Sequence, residues 1–270
     1  MIEKEGKRGQ VTIFIIIGLL IVILLILVYL YYPEIFSKLS KSTKNPSGYI
    51  QKCIRDEMED NIEIILLQGG DFASPEKIGY IYKQLDEDEP IYAKYLCYTN
   101  SDRYVPCINQ EPFLKTHVES EILNSVSDGI DNCFNSLVQS YEDEGYTVNL
   151  EEGIPKTEIT ENFITTNFNR TLTLVKGDET NVYRRFQIEL NSNLYEILEV
   201  ADNIVSWEMV AGDSLPEAYM YYNPYLRVEK HIKSDDTKIY VITDLKTEES
   251  FRFAIRSYPN NIDLTAYFEI

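Results

Sequence analysis

No charged side chain occurs between Val11 and Tyr32. Ile, Leu and Val dominate this run, and a helix over it would be about 33 Å long, enough to cross the hydrocarbon core of a bilayer. Tyrosines at its far end favour the lipid headgroup region, and Pro33 ends the helix. A secretory signal peptide has a shorter apolar segment, and a buried core helix is rarely so long and so apolar. The sequence therefore predicts a transmembrane helix over residues 11–32.

Basic residues lie on both sides of this span, and their distribution predicts its direction. Lys4, Lys7 and Arg8 precede it, within a leader over residues 1–10. Positive charge beside a transmembrane helix stays on the cytoplasmic side, so we expect a cytoplasmic N-terminus and an extracytoplasmic C-terminal domain. The linker over residues 33–48 also carries lysines, which act against this orientation, but the N-terminal charges usually dominate. The expected location is the cell membrane, with a single pass.

The charge balance limits the partners of the chain. It has 25 Lys and Arg residues against 44 Asp and Glu, a formal net charge of −19. A polyanionic surface does not bind a nucleic-acid backbone, because phosphate binding needs clustered Lys and Arg. The same charge acts against docking on anionic lipid beyond the anchor. We expect contact with the bilayer through residues 11–32, a protein or envelope component as the partner class, and no nucleic acid. The oligomeric state is left open.

Five short stretches carry a resemblance to known proteins. They are residues 8–18 (RGQVTIFIIIG), Cys53, residues 68–70, Cys133 and residues 242–244. Together they resemble stretches of a group of uncharacterised membrane proteins from small-genome, DPANN-type archaea. The resemblance touches most of the chain thinly. It implies a membrane protein of an archaeon, and it implies no particular activity.

The start of the chain is also similar to an archaeal class III signal peptide, the kind found on type IV pilins and archaellins. In that family cleavage follows a Gly and precedes a Gln and an apolar stretch, so Gly9 and Gln10 match its processing site. The resemblance implies processing before Gln10 and assembly into filaments. Phe14 stands where the family has a Glu, and a cleaved chain stacked as a pilin would then bury its new amine unpaired. We therefore expect a retained leader, with a pilin-like filament subunit as the alternative.

Beyond the linker, the spacing of apolar residues predicts both helices and strands. Steps of three and four residues predict helices over residues 49–68, 113–139 and 194–210. Alternation predicts strands within residues 155–190 and 225–270. This order favours an α+β fold with an antiparallel sheet. We distinguish a helical, disulfide-linked region over residues 49–145 from an α+β sheet region over residues 146–270, and leave open whether they form one domain or two.

The register of the predicted hairpin follows from its two faces. A two-residue turn would pair Leu172 with Tyr183 and mix polar with apolar side chains. A three-residue loop over residues 176–178 would instead give one apolar face, which carries Ile164, Phe168, Leu172, Val182, Phe186 and Leu190. Because burial favours the register that keeps one face apolar, we expect the three-residue loop. Arg170, opposite Arg184, is the exception on that face.

Four cysteines lie in the part expected outside the cell. An even number there indicates two disulfides, although the sequence alone allows three connectivities. Cys53 and Cys133 lie on the apolar stripes of two predicted helices, and Cys97 and Cys107 flank a short loop. We therefore expect the pairs Cys53–Cys133 and Cys97–Cys107. Buried free thiols are an alternative, and a zinc site that adds His117 lacks the short spacing that closes such sites.

No residue pattern in the chain predicts catalysis. Its two histidines, His117 and His231, are accompanied by neither a Gly-x-Ser-x-Gly nor a His-Glu-x-x-His motif. A Ser–His–Asp site can be assembled in space from distant residues, but we interpret both histidines as surface residues. The acidic runs at 86–89 and 142–144 do not match a calcium-binding loop, so we interpret them as solvated surface. No cofactor and no metal site are expected.

Two further features concern the surface. Tyr219, Tyr221, Tyr222 and Tyr225 are clustered in sequence. Exposed tyrosines could bind a partner, because they offer a large contact area with few torsions to restrict, but we expect this cluster to be packed. Asn169 begins an Asn-Arg-Thr sequon on the polar face of the predicted hairpin, so glycosylation at Asn169 is left open.

The features above predict a single-pass, membrane-anchored cell-surface protein. Its external domain would serve in binding or in envelope structure and would not be an enzyme. A pilin-like subunit processed before Gln10 is the alternative, and an anchored hydrolase has no supporting motif.

Overall fold

The computed structural model describes residues 17–22, 45–72, 93–101 and 104–259. The chain separates into two compact units, Met1–Asn45 and Pro46–Ile270. In the first unit, residues 17–22 are helical. Most of the predicted transmembrane segment and the whole leader lie outside the described residues, and no helix within the described part is long and apolar enough to cross a membrane. The anchor therefore stays a prediction.

The second unit combines helices with largely antiparallel strands. In chain order its elements are α1 (Pro46–Leu67), β1 (Tyr95–Tyr98), β2 (Ile108–Asn109), α2 (Leu114–Ser125), α3 (Ser127–Asp143), β3 (Thr147–Glu151), β4 (Lys156–Ile159), β5 (Phe163–Asn167), β6 (Thr171–Lys176), β7 (Glu179–Tyr183), β8 (Gln187–Asn191), α4 (Leu194–Ala211), α5 (Pro216–Tyr222), β9 (Leu226–Ile232), β10 (Lys238–Asp244) and β11 (Ser250–Arg256). The fold is α+β, as the apolar spacing predicts.

The strands form one larger sheet and two smaller ones. The larger sheet has the order β2-β1-β11-β10-β9, with β1 parallel to β11 and the other neighbours antiparallel. The three-stranded sheets have the orders β3-β6-β7 and β4-β5-β8. One hydrophobic core draws side chains from α1 to α4 and from all three sheets. Both predicted regions, residues 49–145 and 146–270, contribute to this core.

Helix α1 follows its predicted range of 49–68 closely. Its buried positions recur at steps of three and four residues: Ile50, Ile54, Met58, Ile62, Ile65 and Leu66. Gly69 and Gly70 end the helix with positive φ angles of 78° and 101°, which residues with a side chain rarely adopt. A Cβ on Gly69 would lie 2.7 Å from the Cβ of Lys94, so the close approach also requires glycine.

The helix predicted over residues 113–139 is in fact two helices. Val126 separates α2 from α3 with φ −111° and ψ 6°, outside the helical region. The hydroxyls of Ser125 and Ser127 donate to backbone carbonyls three residues earlier, which competes with regular helix bonding at this point. Because Val126 is itself buried, the apolar stripe continues through the break. Periodicity alone could not have revealed it.

The predicted hairpin register is wrong at its tip. β5 and β8 pair Ile164 with Leu190 as expected, but β6 and β7 pair Leu172 with Tyr183 across a two-residue turn. An extra residue between β5 and β6, where Asn169 takes φ 50°, shifts the register by one. Strand β7 has no buried residue, so burial does not select between the two registers there.

Arg170 lies on the inner side of this bulge and is buried. Its positive charge is compensated, because its guanidinium pairs with Asp131 and lies 4.5 Å from the centre of the Phe134 ring. An ion pair and a cation–π contact together account for a buried arginine at an apolar surface.

Candidate binding groove

Helix α4 has two faces with different roles. The buried face packs on the larger sheet through Leu194, Ile197, Leu198, Ala201, Ile204 and Val205, as predicted from their spacing. Gly212, with φ 74°, then ends the helix, and a Cβ there would lie 2.0 Å from the carbonyl oxygen of Tyr258. Only glycine permits this turn. The chain reverses, and α5 begins at Pro216, a residue that suits the first helical turn.

A groove of about 860 Å³ lies between α4 and α5. Its apolar lining consists of Val200, Trp207, Ala211, Leu215, Ala218, Tyr219 and Tyr222. Leu215 is 67% exposed, Tyr222 is 79% exposed, and Trp207, the one tryptophan in the sequence, is 49% exposed. Large apolar side chains grouped at the surface in this way mark binding sites in soluble domains.

The tyrosine cluster divides between the core and the surface. Tyr219 and Tyr225 are partly buried against the core, which agrees with the expected packing. Tyr221 and Tyr222 are 81% and 79% exposed, so for these two the expectation is wrong. The reason is geometric. In α5, a helix of 7 residues, successive side chains point to different sides, so the tyrosines cannot all face the core.

The charged residues that line the groove are acidic. They are Glu196, Glu199 and Asp213, and no Lys or Arg is among the described lining residues. Glu196 accepts a hydrogen bond from the hydroxyl of Tyr225, which together with burial raises the pKa of that tyrosine to about 12. The groove therefore combines an aromatic lining with a negative rim.

A buried ionic cluster fixes the position of Asp213. Lys238 Nζ lies 2.7 Å from Glu208 Oε2 and 3.1 Å from Asp213 Oδ1, and it donates to the carbonyl oxygen of Gly212 at 2.5 Å. Lys230 contacts the same Asp213 oxygen at 3.0 Å. Burial alone would raise the pKa of Asp213, but hydrogen bonds from Lys230 and Lys238 outweigh it and lower that pKa. The rim carboxylate is thus held in place and kept ionised.

The sequence did not predict the groove, although one signal was present. Trp207, Met209 and Val210 are exposed apolar residues on the face of α4 that periodicity assigns to solvent. Three such residues within one helical turn depart from the amphipathic pattern, and one of them, Trp207, lines the groove.

The two histidines do not share a site. His231 is exposed on β9, as expected. His117 on α2 is half-buried instead, and its Nε2 lies 2.6 Å from Asp71 Oδ1 and 3.2 Å from Lys94 Nζ. Lys94 Nζ is also 2.9 Å from Glu111 Oε2. The surface interpretation of His117 is therefore wrong, because long-range packing brings it into an ionic cluster.

Both disulfides occur in the predicted pairing, Cys53–Cys133 and Cys97–Cys107. The first joins α1 to α3, and the second joins β1 to the loop before β2. The apolar spacing predicts both cysteines of the first pair on buried stripes, but only Cys133 is buried, and Cys53 is exposed. A disulfide can close at the margin of the apolar stripe as well as within it.

The remaining predicted positions are scattered. Asn169 is exposed, and its Nδ2 donates to the carbonyl oxygen of Ile154 at 2.6 Å. The run at 142–144 lies at the C-terminal end of α3 and is exposed. Gly9, Gln10 and the run at 86–89 lie outside the described residues.

Comparison with known proteins leaves the groove as the main guide to function. Within the described part of the chain, no group of three or more His, Cys, Asp or Glu residues could hold a metal ion. No protein-family model, curated protein or solved structure matches this chain. The resemblances noted in the sequence therefore stay predictions.

Proposed function

We propose that this chain is a single-pass, membrane-anchored cell-surface protein whose external domain binds a partner through the α4–α5 groove and carries out no catalysis. The observation that carries the binding role is the exposure of Trp207, Leu215 and Tyr222 around one groove. Aromatic residues of this kind supply most of the energy at protein–protein contacts.

Two other observations support the external location. The uncharged segment over residues 11–32 follows a basic leader, which is the pattern of a helix with a cytoplasmic N-terminus. All four cysteines are paired in disulfides, and disulfides persist in oxidising compartments.

The topology is tested by adding protease to intact cells that express the full chain. We expect loss of the domain over residues 46–270 and survival of the segment over residues 11–32. Digestion only after lysis, in cells whose envelope admits the protease, would contradict the proposed orientation.

The binding role is tested in the same cells with a photoreactive residue at position 215. We expect a discrete cross-linked product, because Leu215 lines the groove. The matched control is position 210, where Val210 is 53% exposed on α4 but does not line the groove. Equal products from both positions, or none from either, would contradict a binding role for the groove.

The alternative is a pilin-like subunit, favoured by the Gly9–Gln10 junction after the basic leader. Phe14 weighs against it, because the amine created at Gln10 would lack its carboxylate partner in a filament. Mass spectrometry of the N-terminal peptide separates the two. A mature chain that begins at Gln10, together with filaments that contain it, would establish the alternative.

A further inference from the structure

The groove is open along its length, and this favours an extended occupant over a small one. A small ligand is usually enclosed over most of its surface, whereas Leu215 and Tyr222 on the groove's walls are largely exposed. The exposed apolar surface also extends to Tyr221, whose ring centre lies 5.3 Å from that of Tyr222. A segment of protein could cover both the groove and this margin.

Two helices form the groove, and a third helix fits between two others by ordinary ridge-and-groove packing. Along α4 the lining runs from Glu196 to Ala211, a distance of about 22 Å in a helix. That length corresponds to about four turns of a bound helix. The apolar residues lie along this length, so the occupant needs an apolar stripe of matching period.

The charges around the groove determine which charge its occupant should carry. Glu199 is exposed at the rim, and Asp213 is held there as an ionised carboxylate by the lysines beneath it. Glu196 and Glu199 line the groove on α4, and no Lys or Arg is among the described lining residues. A basic side chain of the occupant would complement these carboxylates, and the aromatic rings of Trp207 and Tyr222 also attract cations.

We infer that the α4–α5 groove binds a basic amphipathic helix of a protein partner, an inference that rests on the binding role proposed above. Its apolar stripe would lie over Trp207, Leu215 and Val200, and its Lys or Arg residues would pair with Glu196 and Glu199. The net charge of −19 would also attract such a segment from a distance.

The test uses the full-length protein in nanodiscs of zwitterionic phosphatidylcholine, assembled with a scaffold protein whose tryptophans are replaced by phenylalanine. The probe is a fluorescein-labelled peptide of about 14 residues made of Leu, Ala and Lys, with Leu at i, i+3, i+4 and i+7. Peptide anisotropy measures the affinity, and emission from Trp207, which has no second tryptophan to mask it, reports occupancy of the groove. Empty nanodiscs correct for lipid binding.

We expect saturable binding with a blue shift of the Trp207 emission. Leu215→Asp should weaken binding about tenfold or more, equal to about 1.4 kcal/mol. Val210→Asp, outside the groove, should leave the affinity unchanged. Glu199→Lys should weaken binding several-fold, whereas Glu217→Lys, an exposed position on α5 outside the lining, should have a smaller effect.

Three comparison probes separate the possible failures. A peptide with Glu in place of Lys, or one with Lys kept but Leu scrambled, would overturn the inference if it bound equally well. Competition by spermidine at similar concentration would also overturn it in favour of a small organic cation. In these cases the groove would remain a binding site. If no probe binds and position 215 yields no cross-link in cells, the proposed binding role fails as well.

Discussion

Lys94 and Lys238 are both buried, and each lies between two carboxylates, but the two sites differ in depth and in their additional partners. Lys94 contacts Asp71 and Glu111, and His117 bonds the same Asp71 oxygen. Glu111 and His117 retain partial contact with water. This site is therefore an ionic cluster at the edge of the core.

The Lys238 site lies deeper. Glu208 is fully buried, and it accepts from Lys238 Nζ at 2.7 Å and from the Tyr240 hydroxyl at 2.5 Å. Asp213, on the groove side, is the one member with substantial exposure. Here a single ammonium group compensates a carboxylate that has no contact with water.

The pKa shifts of the two buried carboxylates have opposite signs. Burial alone would raise the pKa of Asp71, but hydrogen bonds from His117 and Lys94 lower it below the ordinary value of 3.8. Burial raises the pKa of Glu208 above its ordinary 4.5, because Lys238 and Tyr240 do not fully offset the loss of water. At Asp71 the hydrogen bonds outweigh the effect of burial on the pKa, whereas at the fully buried Glu208 they do not.

The largest expected effect comes from replacing Lys238 with Met. Glu208 would stay buried without its ammonium partner, and removing one member of a buried pair costs about 3–5 kcal/mol in free energy of unfolding. Lys94→Met should cost less, because His117 still bonds Asp71. Denaturant unfolding of the full-length protein measures both. An equal or larger loss for Lys94→Met would show that depth does not distinguish the sites.

The disulfide beside the Lys94 site should have the next largest effect. Cys97 lies on β1 and bonds Cys107 across a short loop, so the Cys97→Ser, Cys107→Ser double variant should lose about 2.5–3 kcal/mol in free energy of unfolding. Hydrogen exchange should accelerate on β1 and β2, which follow Lys94 in the chain, more than on β9 and β10 around Lys238. Uniform acceleration of exchange over the sheet would mean that the two ionic clusters are not stabilised independently of each other.

Two tyrosines offer a smaller and more direct test. Tyr240 donates to the carboxylate of Glu208, so Tyr240→Phe should cost about 1.5–2 kcal/mol in free energy of unfolding. The matched control is Tyr95→Phe, next to Lys94 in sequence, which removes a neutral hydrogen bond to Thr237 of 2.8 Å and should cost about 1 kcal/mol or less. Thermal unfolding followed by circular dichroism compares them. A larger loss for Tyr95→Phe would argue against a charged partner at Tyr240.

The smallest effect is expected in the dependence of stability on pH. The lowered pKa of Asp71 stabilises the fold above 3.8, and this contribution is lost as pH falls through the folded-state pKa. Asp71→Asn should therefore lose less stability than the natural chain between about pH 4 and pH 2.

Glu208 should show the opposite sign. Its raised pKa means that its contribution is complete below 4.5 and declines as pH rises through the folded-state value. The stability difference between the natural chain and Glu208→Gln should shrink as pH increases above 4.5. Unfolding at a series of pH values measures both variants, and slopes of the same sign would refute the contrast between the sites.

Neither ionic cluster could be predicted from the sequence, for a physical reason. Lys94 lies 23 residues from both Asp71 and His117 in the sequence, and Glu208 meets Lys238 only because α4 packs on β10. Ion pairs between distant residues leave no periodic pattern in the chain. The groove depends in the same way on the chain reversal at Gly212, which places α5 beside α4.

The spacing of apolar residues was sufficient to predict those features that depend on burial of one face of a helix or strand. The stripes of α1 and α4 and the α+β class follow from spacing that a reader of the sequence can see. Burial is periodic in a helix or strand that covers a core, so the sequence by itself determined these features.

Where residues do not lie on the buried face of a helix or strand, only the tertiary structure decided their arrangement. The turn after Lys176 has two residues instead of the expected three. Strand β7 is exposed, so no apolar face favours the expected register. Helix α3 begins after Val126 although the stripe runs on, and Tyr221 and Tyr222 face solvent although their neighbours pack. At such positions the sequence allows several arrangements of similar local energy, and contacts between distant elements select one of them.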